Sequence, residues 1–346
     1  MKSKQFYLIL LGIVSLMMVC SCEKEEEPYV KFVNNANGES INAEARVLVF
    51  PVESNIEISQ LSATCSAEWC DVQLSDKGGD NLILTANIEE NMRQTPREAI
   101  IMVKSANGQA SASFVLTQET SGLTAYYTFD GNCNDQTETG LTPVSLETSF
   151  VNSFNNSQAI EITNSSNSLL SFPNSLVDER EMTISFWAKD LSDGHIFHAV
   201  RLRDGDPAFI LAVVNGMLKF VVTKYNYGWQ YNNCSRFTHN SLDGWHMITL
   251  VSDFNKTAFT TITTRLYIDG NFVDVVTEGD NVFSESEEGD TKNYRACSKF
   301  VMGGEIKTNF GPTIHTTTLT IDNLRFYKYR CLSEDEVKYI YNKERR

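Results

Sequence analysis

From residue 29 to about 120 the chain runs in short apolar stretches separated by polar breaks. Residues 46–52, 82–86, 99–103 and 112–118 are rich in valine, isoleucine, leucine and phenylalanine and show no helical period. The glycine- and asparagine-bearing segments 77–81 and 105–109 punctuate them. Strands at this spacing, bounded by turn residues, predict a small Ig-like β-sandwich. From 121 to 346 the strands lengthen and aromatics become frequent. Leu123, Ala125, Tyr127 and Phe129 alternate with polar neighbours, as do residues 182–188, and 217–222 and 245–251 read as further strands. Residues 266–273 form a hairpin pattern around Asp269-Gly270, a pair suited to the left-handed conformations of a tight type I′ turn. So many non-local strands require two packed sheets, as in a jelly roll. The end of the chain changes rhythm. Ser333 and Glu336 have capping-box spacing, and Leu332 and Val337 have that of a hydrophobic staple. They predict a helix whose apolar stripe, Val337, Ile340 and Tyr341, docks on the sandwich. The fold class is therefore all-β, two sandwiches with one short C-terminal helix.

The first of these regions carries Trp69, Asn87 before an acidic turn, Arg97 ahead of a strand and a last strand ending in Thr117-Gln118. In those positions it resembles a BACON domain. The resemblance implies carbohydrate or mucin binding; the alternative is a spacer that raises the next domain from a membrane. The spacer is the favoured reading, because Trp69 is the segment's one large aromatic candidate for a surface site and a tryptophan of this kind is more often core. The second region opens with "YYTFDGNCND", continues with "MTISFWAK", "DGWHMITLV", "RLYIDGNFV" and "FVMGG", and closes with "IDNLRFYKYRCLSEDEVKYIYN". These motifs, in this order over 121–346, resemble a laminin G-like, concanavalin A-like domain. The resemblance implies a jelly roll with Trp187 and Trp245 in structural positions, and function borne on loops.

Ahead of both lies a different pattern. Lys2 and Lys4 precede an apolar run over residues 6–19, shorter than the roughly 20 residues that span a bilayer, and Val19-Cys20-Ser21-Cys22 follows. The run has the form of a signal peptide (1–21) and the sequence after it resembles a lipobox, so Cys22 is the expected lipid-attachment residue. The acidic tether 22–28 resembles the tag of lipoproteins displayed on the outer surface of Bacteroidetes, which places the protein in the outer membrane, lipid-anchored and surface-exposed. No second apolar stretch is long enough to cross a membrane. The domain organisation expected is thus 1–21, 22–28, 29–120 and 121–346. Net charge is −15, and cleavage would remove two cations and no acid, so nucleic acid is excluded as a partner. Of the eight cysteines, Cys65, Cys70, Cys133, Cys234, Cys297 and Cys331 lie beyond the lipobox. None forms a C-x-x-C pair, and the default for most is a small buried apolar side chain.

Two constellations stand out for chemistry. Asp130, Asn132, Asn134 and Asp135 bracket Gly131 and Cys133, and oxygen ligands around a sharp bend suit calcium. The family resemblance completes that set with Asp322, so Asp130, Asn132, Asp135 and Asp322 are the expected metal ligands and calcium the candidate structural cofactor; the alternative is an Asx turn that closes a loop. The second is Tyr225, Asn226, Tyr227, Trp229 and Tyr231. Rings alternating with amides suit a glycan, whose apolar faces stack on aromatics while its hydroxyls meet amides; the alternative is one face of a core strand. A strand bearing E-x-D-x-x-E, the usual form of a paired-carboxylate glycosidase site, is absent. Residues 285–290 are acidic but read as a solvated loop. His195 and His198, three apart, are expected on opposite faces of a strand. The function expected is non-catalytic glycan binding by the second domain; a protein-binding adhesin or a structural surface protein is the alternative.

Overall fold

The computed structural model describes residues 26–34, 38–77, 81–173, 176–177, 181–201, 207–222, 239–240, 242–254, 262–278, 297–306, 314–315 and 318–345. Cys22, the acidic loop 285–290 and the aromatic run 225–231 lie outside them. The chain divides into two compact units, one made of the residues up to Glu90 with Glu98–Gln118, the other of Asn91–Arg97 with Glu119–Arg346. Among the described residues no helix is long and apolar enough to cross a membrane.

The first unit contains β1 (Val30–Phe32), β2 (Glu39–Ile41), β3 (Arg46–Ser54), β4 (Leu61–Cys65), β5 (Cys70–Asp76), β6 (Asn81–Ile88), β7 (Arg97–Ser105) and β8 (Ser111–Gln118). They form two four-stranded sheets, ordered β1-β3-β6-β5 and β2-β8-β7-β4. Alternation sends Phe50, Val52, Leu84, Ile101, Val103 and Leu116 into a common core while Val47, Val49, Ile100 and Val115 face outward. Phe114 anchors that core with Phe32 and Phe50, each at 4.8 Å between ring centroids. Gln118 is fully buried and its amide donates to the carbonyls of Ala43 and Glu89, both at 3.0 Å. The glutamine that closes the motif thus ties three loop segments together, because buried carbonyls need a donor.

The second unit continues with β9 (Leu123–Tyr127), β10 (Val144–Leu146), β11 (Thr148–Asn152), β12 (Gln158–Ile162), β13 (Leu169–Pro173), β14 (Met182–Lys189), β15 (Gly194–Arg201), β16 (Pro207–Val214), β17 (Met217–Val222), β18 (His239–Asn240), β19 (Trp245–Phe254), β20 (Ile262–Ile268), β21 (Asn271–Glu278), β22 (Cys297–Gly303), β23 (Glu305–Ile306), β24 (Ile314–His315), β25 (Leu319–Lys328) and the helix α1 (Glu334–Glu344). One large sheet runs β10-β13-β22-β15-β16-β17-β18; the other runs β11-β12-β25-β14-β19-β20-β21, with β9 also pairing β25. The long β25 lends its first half to β12 and its second half to β9. Between the sheets sits a core rich in phenylalanine: Phe172, Phe197, Phe209, Phe300 and Phe326 are all buried and in mutual ring contact. Asp269 and Gly270 both have positive φ, 52° and 76°, as the type I′ turn demands. A Cβ on Gly270 would lie 3.1 Å from the Tyr341 Cβ and 3.2 Å from the Lys338 Cα, so this glycine also lets the helix approach the hairpin.

The helix begins as its sequence predicts. Ser333 and Glu336 form a capping box, and Leu332 and Val337 are both buried beneath it. It roofs the outer face of the sheet containing β14 and β25, burying Trp187, Met247, Val251, Tyr267 and Tyr327.

Candidate functional site

The glycan-type run lies outside the described residues, but its flanks are placed. β17 and β18 pair antiparallel, Met217 opposite Asn240 and Leu218 opposite His239, at the edge of the seven-stranded sheet. The residues Tyr225, Asn226, Tyr227, Trp229 and Tyr231 fall in sequence between these two strands. β17 and β18 belong to the sheet that the helix does not roof.

The expected calcium turn lies beside β9, β12 and β25. Asp135 Oδ1 accepts from the backbone N–H of Tyr126 (3.0 Å) and Thr137 (2.9 Å). Its Oδ2 accepts from the hydroxyls of Thr137 (2.9 Å) and Thr139 (2.5 Å) and from Leu141 N–H (3.1 Å). Both oxygens are committed to closing the loop, so Asp135 does not fit a ligand set. Asn132 Oδ1 accepts from Asn134 N–H at 2.8 Å, which is an Asx turn. Asp130 Oδ1 accepts from Gln158 N–H at 2.9 Å. Asp322 is 1% exposed; its Oδ2 accepts from the Ser153 hydroxyl at 2.5 Å and its Oδ1 from Asn323 N–H at 2.7 Å. Burial pushes its carboxyl up to about 6, the charges of Asp130 and Glu344 push the same way, and the Ser153 and Asn323 hydrogen bonds oppose them. Of the four expected ligands, Asp130 and Asp322 are the two whose charges act on each other. Among the described residues, no group of three or more histidine, cysteine, aspartate or glutamate side chains is placed to hold a metal ion.

Asp322 borders a dense polar cluster under the helix roof that sequence reasoning did not assemble. Arg325 and Glu344 form an ion pair with side chains only 8% and 7% exposed. The guanidinium lies 3.8 Å from the centre of the Tyr126 ring, and Trp187 Nε1 donates to Glu344 Oε2 at 2.7 Å. Burial alone would lower the Arg325 pKa; Glu344, with Tyr126 and Tyr327, outweighs it and holds the guanidinium charged. Trp187 stacks on Tyr341 and also touches Phe154, with ring centroids 5.7 and 4.5 Å away. The W-H motif is structural in the same way, since His246 Nδ1 lies 2.7 Å from Asp269 Oδ2 and binds β19 to the hairpin turn.

One expectation is overturned. His195 and His198 share a face: His198 Nδ1 is 3.0 Å from His195 Nε2, and both rings are buried. The pairing of β15 with β16 shifts register between His195 and Phe197. This bulge turns both Ile196 and Phe197 into the core, so the flanking histidines emerge together on the opposite side. Burial holds both histidines neutral, with His195 lowered to about 3 and His198 well below its ordinary range; Lys299 and the neighbouring ring add to the effect on His198. Trp69, in the first unit, lies in the turn between β4 and β5, half-buried against the core.

Comparison with known proteins places these elements. Residues 164–338 match the laminin G-type profile of the concanavalin A-like lectin/glucanases superfamily, and residues 58–119 match the BACON domain. The search of curated proteins gives no match. Among solved structures, the binding domain of Paraclostridial Mosquitocidal Protein 1 is 15% identical with a TM-score of 0.43, over 64% of this chain and 52% of that one. The binding domain of Botulinum Neurotoxin DC, in complex with SialylT, is 11% identical with a TM-score of 0.44, over 64% and 52%. A Trypanosoma rangeli sialidase in complex with sialic acid is 12% identical with a TM-score of 0.43, over 90% and 52%. The chain thus spans about half the length of these structures, at a level of similarity that carries no functional argument.

Proposed function

From the chain's membership of the concanavalin A-like lectin/glucanases superfamily, we propose that its second unit binds carbohydrate without cleaving it, through the aromatic-amide segment between β17 and β18. The observation that carries this reading is the division of labour between the two large sheets. The outer face of one is filled by the helix and by the Arg325–Glu344 cluster. The segment richest in sugar-recognition chemistry joins, in sequence, two paired strands of the other. In the same proposal, lipid on Cys22 holds the protein at the outer membrane, facing outward, and the BACON domain serves as a stalk. Polysaccharide or mucin-type glycan is the partner class.

The proposal extends to a structural calcium ion at Asp130 and Asp322. The negative charge of Asp130 disfavours ionised Asp322, a cost that a divalent cation would offset. Asp135 is left out of the set because its oxygens hold the loop.

A glycan array probed with the mature chain tests the binding reading. Binding to one glycan class, abolished by Trp229→Ala and kept by Trp69→Ala, is the expected result. An array empty of signal, or binding indifferent to Trp229→Ala, overturns it. Protease shaving of intact cells checks the outward orientation, which fails if the protein stays protected.

A further inference from the structure

The first unit holds two cysteines at the two ends of a short connection between its sheets. Cys65 ends β4, an edge strand of one sheet, and Cys70 opens β5, an edge strand of the other. The turn between them is pinned: Cys70 N–H donates to the Ala67 carbonyl at 3.3 Å, Ser66 N–H to Ile100 at 3.0 Å and Glu89 N–H to Trp69 at 3.0 Å. Cys70 is 3% exposed, Cys65 is half-buried, and both pack on the same core. Cys65 lies near enough to Cys70 to push its thiol pKa up in addition to burial. Cys133 and Cys331, the other cysteines whose side chains are described, do not resemble this pair. Cys133 packs against the core of the second unit, and Cys331 donates to the Ser252 carbonyl at 3.0 Å.

We propose that Cys65 and Cys70 are the site of an intramolecular disulfide that clamps β4 to β5 once the chain meets an oxidising compartment. The oxidant is a small or protein disulfide. The Cys65 thiolate attacks one of its sulfurs and displaces a thiolate, giving a mixed disulfide. The Cys70 thiolate then attacks the Cys65 sulfur and displaces the second thiolate. Two protein thiols are oxidised by two electrons, one disulfide is reduced to two thiols, and the two protons released by the cysteines end on them. The order follows from access. Cys65 is the more exposed, whereas burial raises the Cys70 thiol to about 12, which keeps it protonated and disfavours it as the first attacker; its own attack is aided by being intramolecular. The short turn between them keeps the two cysteines on one core, so the second step is intramolecular.

The bond would close a short loop and forbid the two edge strands from separating in the unfolded chain. A loop of this length predicts a melting temperature for the first unit higher by about 5–10 °C than in the reduced form. The test uses the purified mature chain equilibrated with excess glutathione disulfide, denatured without reductant, alkylated with iodoacetamide and digested with trypsin. The expected product is a peptide carrying both Cys65 and Cys70, unalkylated and lighter by two hydrogens than its reduced form, while Cys133 and Cys331 are alkylated. Cys70→Ser should instead trap glutathione on Cys65. Full alkylation of Cys65 and Cys70 in the wild-type chain overturns the proposal, as does a peptide linking either one to another cysteine. Cys65→Ala/Cys70→Ala should remove the effect of reductant on the first transition; a reductant effect that survives in this variant also counts against it.

Discussion

The two large sheets of the second unit share a core and differ in what they do with their outer faces. On the sheet of β14 and β25 the outer face is roofed by a capped helix and stitched by buried charge: Arg325, Glu344, Tyr126 and Trp187. On the sheet of β15 and β16 it carries the buried neutral pair His195 and His198, beside Ile210 and Val301. The difference teaches where stability is concentrated. A face locked by a desolvated ion pair tolerates little change, because removing one partner strands the other charge.

The sharpest way to break this contrast is to remove one charge from the roofed face. Glu344→Gln leaves the Arg325 guanidinium buried without its counter-ion and weakens the acceptor of the Trp187 indole. The expected cost is about 3–5 kcal/mol, or roughly 10 °C in the melting temperature of a unit of this size. Calorimetry of the mature chain reads it. A loss of less than about 1 kcal/mol would mean that the roof is ornamental and the contrast false.

Calcium is the next largest effect, and it lies at the border of the roofed face. An ion at Asp130 and Asp322, present at a hundred times its dissociation constant, stabilises by about 2.7 kcal/mol. Chelator should therefore lower the melting temperature of the second unit by several degrees, and Asp130→Asn should erase that sensitivity. An unchanged transition in chelator rules the ion out.

The opposite face responds to acid. Histidines whose folded pKa lies below the unfolded value near 6.5 contribute stability in full above pH 6.5 and lose it as pH falls, because the unfolded chain then binds protons that the folded one refuses. Each pH unit lost inside that window costs about 1.4 kcal/mol per histidine at most. In chelator, with no cation on it, Asp322 works in the other direction: with its carboxyl raised to about 6, the folded state takes up its proton first and offsets part of the loss between roughly pH 6 and 4. Two histidines outweigh one aspartate, so the melting temperature should fall from pH 7 to 5, and His198→Leu should flatten the slope. A wild-type profile level across that range would show that the pair is not buried neutral.

How these features stand in the sequence explains which were legible. The strands of the core were, because alternation such as Leu123, Ala125, Tyr127 is the direct imprint of one buried face. So were the type I′ turn and the helix cap, whose chemistry is local. The short edge strands β10 and β11 were not, since Val144, Leu146 and Phe150 point to solvent and leave no alternation to read. The histidine pair was misread because a bulge adds one residue to one strand without marking the sequence. Asp135 looked like a ligand because a loop-closing carboxylate and a calcium ligand are the same residue at the same spacing; only its hydrogen-bond partners separate them. The Arg325–Glu344 pair joins a strand to the end of a helix, a contact that no local pattern encodes.

The smallest effect discriminates best between a roof that docks as one body and a set of separate contacts. Ser333→Ala removes the hydroxyl that accepts from Glu336 N–H and should cost about 1 kcal/mol. Its cap lies at one end of the helix and Glu344 at the other. Residues this far apart, with no shared partner, are additive to within about 0.5 kcal/mol when they act independently. If the helix docks as a unit, loosening its first turn also loosens the Glu344 end, and the double variant Ser333→Ala/Glu344→Gln should lose less than the sum of the two. A cycle that closes additively would reduce the roofed face to local contacts and leave the two sheets less different than their outer faces make them.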